Sequence, residues 1–141
     1  MSEFYRYFKE NMEGLGLPAP ESLFGSVQST VGTVTVLLGL ADKFGPKVTV
    51  GELIGAGTTL EKLGVIAACS AAFYTGAVIG SLAVASGRCL GRGTSLADVL
   101  SEAAKWKLKR PWLKPMLNRL PGVFDADVAA RKYYKHYGAV K

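Results

Sequence analysis

The sequence predicts an all-α protein: a glycine-rich apolar helical hairpin with a short amphipathic N-terminal helix and a basic helical C-terminal tail. Two long uncharged runs, Ser22–Ala41 and Gly64–Gly87, predict the arms of the hairpin. As helices they would measure about 30 and 36 Å, enough to cross a hydrocarbon core of about 30 Å. The 17 glycines of the chain are concentrated around these runs, which indicates helices whose backbones approach closely.

The first segment, residues 1–20, contains the short amphipathic helix. Phe4, Phe8 and Met12 fall on one face of a helix over residues 2–13. The run GLGLPAP at residues 14–20 ends this helix, because glycine and proline interrupt helical backbone.

The second segment, residues 21–87, begins with the first arm of the hairpin. Gly25, Gly32 and Gly39 recur every seven residues, which predicts a seam along a helix. The sequence VGTVTVLL within this arm also suits a β-strand. The repeated glycines favour the helix, because a strand has no use for this spacing.

Between the arms, residues 48–63 resume a helical pattern with one interior charge, Glu52. Gly51 and Gly55 form another pair of small residues four apart. This stretch is compatible with a span, a re-entrant loop, an interfacial helix or the first half of one helix that continues into Gly64–Gly87. The sequence does not choose among these alternatives.

The second arm carries small residues at intervals of four: Gly64, Ala68, Ala72, Gly76 and Gly80. Residues four apart share a helical face, and in lipid such a face lets another helix approach closely. Because each step drifts by about 40° around the helix, the first three and the last three residues face different neighbours. Contact with two neighbours is what a ring of helices requires, and a compact bundle requires it as well.

Hydroxyl groups are unusually frequent in both arms for helices surrounded by lipid. Thr30, Thr33, Ser70 and Thr75 are candidate pore-lining residues, which would wet a narrow channel without fixed charge. The same residues are equally suited to hydrogen bonding between packed helices.

The third segment, residues 88–141, changes the charge balance. Of the formal net charge of +6, residues 1–87 contribute −2 and residues 88–141 contribute +8. Ser95 and Asp98 fit a capping box at the start of a helix. Pro111 and Pro115 are expected to break helical structure, and a last helix is predicted over residues 125–137.

A basic aromatic stretch in this tail is a candidate membrane interface. Its residues are Trp106, Lys109, Arg110 and Trp112, and tryptophan interleaved with basic residues is typical of the bilayer surface. Nucleic-acid binding by stacking and charge, or docking of a protein partner, are the alternatives. We expect no nucleic acid.

No constellation for catalysis or metal binding is found. His136 is the one histidine, and no glycine-rich loop ends in Gly-Lys-Ser/Thr. We therefore expect no enzyme activity, no cofactor and no metal. Cys69 and Cys89 are expected to be free thiols. The N-terminus lacks a basic region followed by an apolar run, so we expect any secretion to be independent of a signal peptide.

The glycine series Gly25/Gly32/Gly39, Gly51/Gly55 and Gly64 through Gly80 resembles that of the small glycine-zipper pore-forming effectors of bacterial type VI secretion systems. The similarity is to the class carried inside the tube of haemolysin-coregulated protein. It implies a toxin that inserts into the inner membrane of competitor bacteria, oligomerises, and dissipates the membrane potential by ion conduction. It also implies a tube subunit and a cognate immunity protein as partners.

Two other functions remain open at this stage. Resident membrane subunits of the glycine-zipper translocase type, or accessory subunits of respiratory complexes, pack helices in a similar way. A soluble helical interaction module is the second alternative, and it would partition into the aqueous phase of a detergent extraction.

Overall fold

The structure is a computed structural model that describes residues 2–45, 47–56, 63–64 and 66–136. Within these ranges the chain is all-helical, as the sequence predicts, and has no strand. One isolated antiparallel bridge joins Thr49 and Ser70. The helices are α1 (Glu3–Gly14), α2 (Glu21–Phe24), α3 (Val27–Phe44), α4 (Val50–Ala56), α5 (Ala71–Cys89), α6 (Leu96–Lys105) and α7 (Leu113–Arg119), with 3-10 turns at Pro121–Val123 and Arg131–His136.

The predicted N-terminal helix is confirmed as α1. The side chain of Ser2 caps it by accepting a hydrogen bond of 3.0 Å from the Tyr5 amide. Phe8 and Met12 are buried on the predicted apolar face, and Asn11 is buried beside them. The amphipathic pattern therefore packs α1 against the core of the protein.

The first apolar run is divided, which corrects the single helix predicted over Ser22–Ala41. The chain breaks after α2, and Ser26 starts α3 by accepting a hydrogen bond of 3.1 Å from the Ser29 amide. The reciprocal bond from the Ser26 amide to Ser29 Oγ measures 3.0 Å, so both ends of a capping box are present. The strand alternative for this region is wrong.

The second apolar run also differs from the prediction of one helix over Gly64–Gly87. Helix α5 begins only at Ala71, after Ser70 accepts a hydrogen bond of 3.2 Å from the Phe73 amide. Before it, Cys69 accepts a hydrogen bond from the Val50 amide at 2.8 Å, and the Ala71 amide donates to Val48 at 3.0 Å. These bonds to residues 48–50 replace the bonds that a continuous helix would make.

The alternative of one helix running from residue 48 into α5 is therefore wrong. Residues 57–62 lie outside the described residues, so the choice among a span, a re-entrant loop and an interfacial stretch stays open.

Helix α5 lies at the centre of the fold. It packs against α1, α3, α4, α6, α7 and the turn Pro121–Val123. One hydrophobic cluster surrounds it and draws on all three predicted segments, for example through Phe8, Leu37, Ile79 and Leu117. The three segments thus share a single core.

The C-terminal segment follows the prediction in part. The capping box at α6 is confirmed, with the Asp98 amide donating to Ser95 Oγ at 3.3 Å. Pro115 does not break a helix, since it lies in the first turn of α7, where a backbone amide has no partner in the helix. The helix predicted over residues 125–137 is wrong: turns precede a 3-10 helix, Arg131–His136, and Tyr137 lies outside the described residues.

Candidate functional site

The candidate site is α5 together with the shell of helices that encloses it. Sixteen of its nineteen residues are buried, and Arg88 near its end is its one charged residue. A helix that is apolar on every side needs either a protein or a membrane around it. In this fold the surroundings of α5 are supplied by its own chain.

The polar groups of α5 are satisfied within the fold. Thr75 Oγ1 donates to the carbonyl of Ala71 at 2.6 Å, and the Tyr74 hydroxyl donates to the carbonyl of Pro18 at 2.9 Å. Burial raises the pKa of Tyr74, so this phenol stays protonated. Within the described residues, no buried side-chain nitrogen or oxygen lacks a hydrogen-bond partner.

The predicted small-residue face of α5 is covered by the C-terminal segment. A Cβ atom placed on Gly76 would collide with the terminal methyl of Met116, and one on Gly80 would collide with Cγ1 of Val123. Ala72 on the same face is buried as well. The missing side chains therefore admit bulky residues from α7 and from the turn after it.

The earlier members of the same series lie outside α5. Gly64 and Ala68 precede the helix and are exposed. Gly51 packs closely against residue 67: a Cβ there would lie 3.1 Å from the carbonyl oxygen of Ala67. Gly55 is exposed, with open space around it. The five-residue series is thus not one continuous helical face in this conformation.

The glycines of the first arm point away from the core. Gly32 and Gly39 are exposed on α3, and a Cβ on either would have nothing within 4 Å. Gly25 lies between α2 and α3, close to the carbonyl of Glu21. Val34, Leu37 and Leu38 supply the buried face of α3, as in a water-soluble core.

The candidate pore-lining hydroxyls are engaged locally. Thr30 Oγ1 donates to Ser26 O at 2.8 Å, and Thr33 Oγ1 donates to Leu23 O at 2.8 Å. Ser70 caps α5, and Thr75 bonds within it. In this conformation the four hydroxyl groups form hydrogen bonds with backbone atoms. A pore-lining role for these residues stays a prediction.

The basic aromatic stretch connects α6, α7 and α3. Trp106 is half-buried and donates through Nε1 to Glu102 at 2.6 Å, and Trp112 is half-buried at the start of α7. Arg110 forms an ion pair of 2.8 Å with Asp42, whereas Lys109 is exposed. A membrane-interface role for the stretch stays a prediction.

A C-terminal strap, residues Arg131–Lys135, crosses the outside of α1 and the turn Pro121–Val123. Arg131 Nη1 donates to Asn11 Oδ1 at 3.0 Å and to the carbonyl of Gly122 at 2.9 Å. Its guanidinium lies where a side chain on Gly14 would otherwise be. Lys135 donates to the carbonyl of Gly16 at 3.2 Å, so the strap is held at both ends.

Sequence reasoning missed the role of Asn11. This amide interrupts the apolar face of α1, and a polar residue in such a position is a signal for a buried hydrogen-bond network. Its partners Ser81, Val123 and Arg131 are distant in the chain, and helical periodicity gives no information about them.

Three further observations concern the described residues as a set. No three His, Cys, Asp or Glu side chains come together as a group able to hold a metal ion. No helix there combines the length and the hydropathy required to cross a bilayer. Both cysteines are free, as predicted, with Cys69 buried and Cys89 exposed.

No protein-family model, no curated protein and no solved structure matches this chain.

Proposed function

We propose that this protein is a pore-forming effector that permeabilises membranes, and that the described fold is its sheltered form before insertion. The observation that supports this most directly is α5, an apolar helix enclosed on all sides by the chain that carries it. A helix that is apolar on every side requires apolar surroundings, which either a protein core or, once the helix is lengthened, a lipid bilayer can supply. The enclosed form keeps it out of the membrane of the producing cell.

Insertion, on this proposal, extends α5 toward its N-terminus. The uncharged run reaches back to Gly64, and as a helix it would measure about 36 Å. Residues 67–71 would have to give up their backbone hydrogen bonds to residues 48–51. The run would then pair with α3 as a hairpin, and the exposed Gly32 and Gly39 would become points of close contact between helices.

The finer details of the proposal come from the resemblance to type VI effectors. The protein would travel in the tube of haemolysin-coregulated protein, leave without a signal peptide and act at the inner membrane of a target cell. A cognate immunity protein would protect the producer. The hairpins would self-oligomerise, with Thr30, Thr33, Ser70 and Thr75 lining the pore and the residues around Trp106 and Trp112 at the interface.

A disulfide lock tests whether α5 must leave its shell. An ideal Cβ on Gly80 lies 3.7 Å from Cβ of Val123, within the range of about 3.5–4.5 Å that a disulfide requires. The lock is therefore Gly80→Cys with Val123→Cys, in a background of Cys69→Ala and Cys89→Ser. The matched control carries Val123→Cys alone, because a side chain on Gly80 opposite an unchanged Val123 would collide with its Cγ1.

We expect the oxidised lock to leave dye inside anionic lipid vesicles, and the addition of dithiothreitol to restore leakage to the level of the control. In cells, the control directed to the bacterial periplasm should collapse the membrane potential and stop growth. Undiminished leakage from the oxidised lock would show that α5 need not separate from the turn Pro121–Val123, and would reject the release of α5 from its shell. Absence of leakage from every form, the unmodified chain included, would reject pore formation.

A soluble helical interaction module is the second candidate, and one observation favours it. Gly76 and Gly80 already pack against Met116 and Val123, so a role in holding the protein's own core explains them without a membrane. Under this alternative the chain would stay in the aqueous phase of a detergent extraction, and periplasmic expression would leave the membrane potential unchanged.

A further inference from the structure

A small cavity at the C-terminal end of α5 is rich in arginine. It measures about 240 Å³ and lies between α1, the end of α5, the loop before α6 and the strap. Its charged lining residues are Arg88, Arg92, Arg131 and Glu10, so the lining carries two net positive charges. Pockets for drug-sized ligands begin at about 300 Å³, so this cavity suits a smaller group.

Arg88 is held in place by two contacts. Arg88 forms an ion pair of 2.7 Å with Glu10, and its guanidinium carbon lies 4.2 Å from the centre of the Tyr7 ring. Glu10 is the one acidic residue in the lining, and its charge is already matched by Arg88. The cavity thus presents a fixed guanidinium at the end of α5.

Arg131 is half-buried and bonded to neutral oxygens. Nη1 donates to the amide oxygen of Asn11 and to the carbonyl of Gly122, and neither acceptor carries a charge. Burial lowers the pKa of Arg131, against the opposing effect of nearby Asp125. A cation that has lost hydration without forming an ion pair gains from an anion placed beside it.

Arg92 is exposed in the loop after α5, and its side chain forms neither a hydrogen bond nor an ion pair with any residue the structure describes. Its charge lies near Asp98, whose pKa is lowered by hydrogen bonds with Ser95 and, to a smaller extent, by Arg92. No hydrogen bond or ion pair joins Arg92 to Asp98 among the described residues, so the donors of Arg92 can turn to a ligand at the cavity.

We propose that this cavity binds a phosphate group, held between Arg88, Arg92 and Arg131. The planar donor fork of guanidinium matches the oxygens of phosphate. A phosphate carrying one to two negative charges offsets the two net positive charges of the lining. The group belongs either to a soluble phosphate monoester or to the head group of an anionic lipid, and this proposal stands whether or not the protein opens pores.

The site is tested by titrating the purified full chain with inorganic phosphate and measuring the heat of binding by calorimetry. We expect saturable binding that Arg92→Gln weakens by about tenfold, the effect of losing one charge-assisted hydrogen bond. Because Arg92 is exposed and unbonded, this variant should unfold at the same urea concentration as the original chain when phosphate is absent. Lys114→Gln removes one exposed charge from α7, outside the cavity lining, and should change the affinity less than twofold.

Binding to lipid vesicles distinguishes an anionic lipid head group from a soluble phosphate monoester as the ligand. If the ligand is a lipid, Arg92→Gln should lose binding to phosphatidylcholine vesicles that contain phosphatidic acid, and inorganic phosphate should displace the original chain from them. If the ligand is soluble, both chains should bind these vesicles alike while their affinities for phosphate differ. Failure of the original chain to bind phosphate, or equal weakening by Arg92→Gln and Lys114→Gln, would overturn the proposal.

Discussion

Asn11 donates a hydrogen bond of 2.8 Å from its side-chain amide to the hydroxyl of Ser81, 70 residues away in the chain. The same amide group donates to the carbonyl of Val123 at 2.9 Å, and its oxygen accepts from Arg131. One side chain therefore connects α1 to α5, to the turn after α7 and to the strap. Buried networks of this kind fix one arrangement of the helices, because every alternative leaves a polar group without a partner.

Replacing this amide should be costly. Asn11→Leu keeps the branching of the side chain but enlarges it, and it removes the hydrogen-bond partner that Ser81, Val123 and Arg131 share. We expect the free energy of unfolding, measured by urea denaturation, to fall by about 3 kcal/mol. Ser81→Ala removes only one bond and should cost about 1 kcal/mol.

The double variant supplies the control for this prediction. In the Asn11→Leu background Ser81→Ala should cost less than it does alone, because the hydroxyl has already lost its partner. Strict additivity of the two changes would contradict coupling through this hydrogen bond.

Gly76 and Gly80 of α5 should differ in their tolerance of a methyl group. Gly80→Ala meets Cγ1 of Val123, a β-branched side chain with few rotamers, and should lower the free energy of unfolding by about 2 kcal/mol. Gly76→Ala meets the flexible end of Met116, and the gain of about 1 kcal/mol in helix propensity offsets the repacking. Urea denaturation of both variants measures the difference.

A second substitution checks the assigned cause. Val123→Ala opens space opposite Gly80, so the penalty of Gly80→Ala should be smaller in that background than in the original chain. A larger loss of stability from Gly76→Ala than from Gly80→Ala would mean that Met116 is the less adaptable neighbour.

The parts of the fold that the sequence predicts well are those with local causes. Phe8 and Met12 define the buried face of α1, with Phe4 partly buried beside them, and Ser95 with Asp98 marks the start of α6. Two of the errors lie inside the apolar runs, where the absence of charge predicts one continuous helix, and the others lie in the C-terminal segment, at Pro115 and over residues 125–137. Ser26 and Ser70 are favourable N-cap residues, and each one starts a helix in the middle of a run that hydropathy alone joins together.

In the candidate site, too, the sequence predicts the features with local causes and misses those that depend on tertiary contacts. That Gly76 and Gly80 mark close contacts is readable from their spacing, since a face without side chains requires a neighbour. The sequence does not show that the neighbours are Met116 and Val123 of the same chain. Contacts between residues distant in the chain produce no periodic pattern in the sequence. The bond between Asn11 and Arg131 spans 120 residues and was missed for the same reason.

Cys69 should make stability depend on alkaline pH. Burial raises the pKa of its thiol to about 11, while Lys135 lowers it to a smaller extent. The folded state therefore holds the proton more tightly than the unfolded state, whose thiol has a pKa of about 8.5. The resulting stabilisation is complete below about pH 8.5 and should be lost as the pH rises toward 11, by an amount of the order of 2 kcal/mol.

Urea denaturation at several pH values, compared between the original chain and Cys69→Ala, isolates this contribution from that of Tyr74 and other groups. The difference between the two chains should shrink from pH 8.5 to 11. A constant difference would mean that the Cys69 thiol titrates alike in both states.

The exposed glycines of α3 allow stability and membrane activity to be separated. Gly32 and Gly39 are interior to the helix, with open space around them, so Gly32→Leu and Gly39→Leu should each raise the free energy of unfolding by about 0.5–1 kcal/mol. If these glycines become helix contacts in the bilayer, the same substitutions should reduce vesicle leakage, because a leucine keeps the helices apart. Val36→Leu, on an exposed part of the same helix, should leave leakage unchanged. Leakage retained in both glycine variants, at undiminished stability, would remove α3 from the membrane-contact role and leave its glycines as solvent-facing positions of a water-soluble helix.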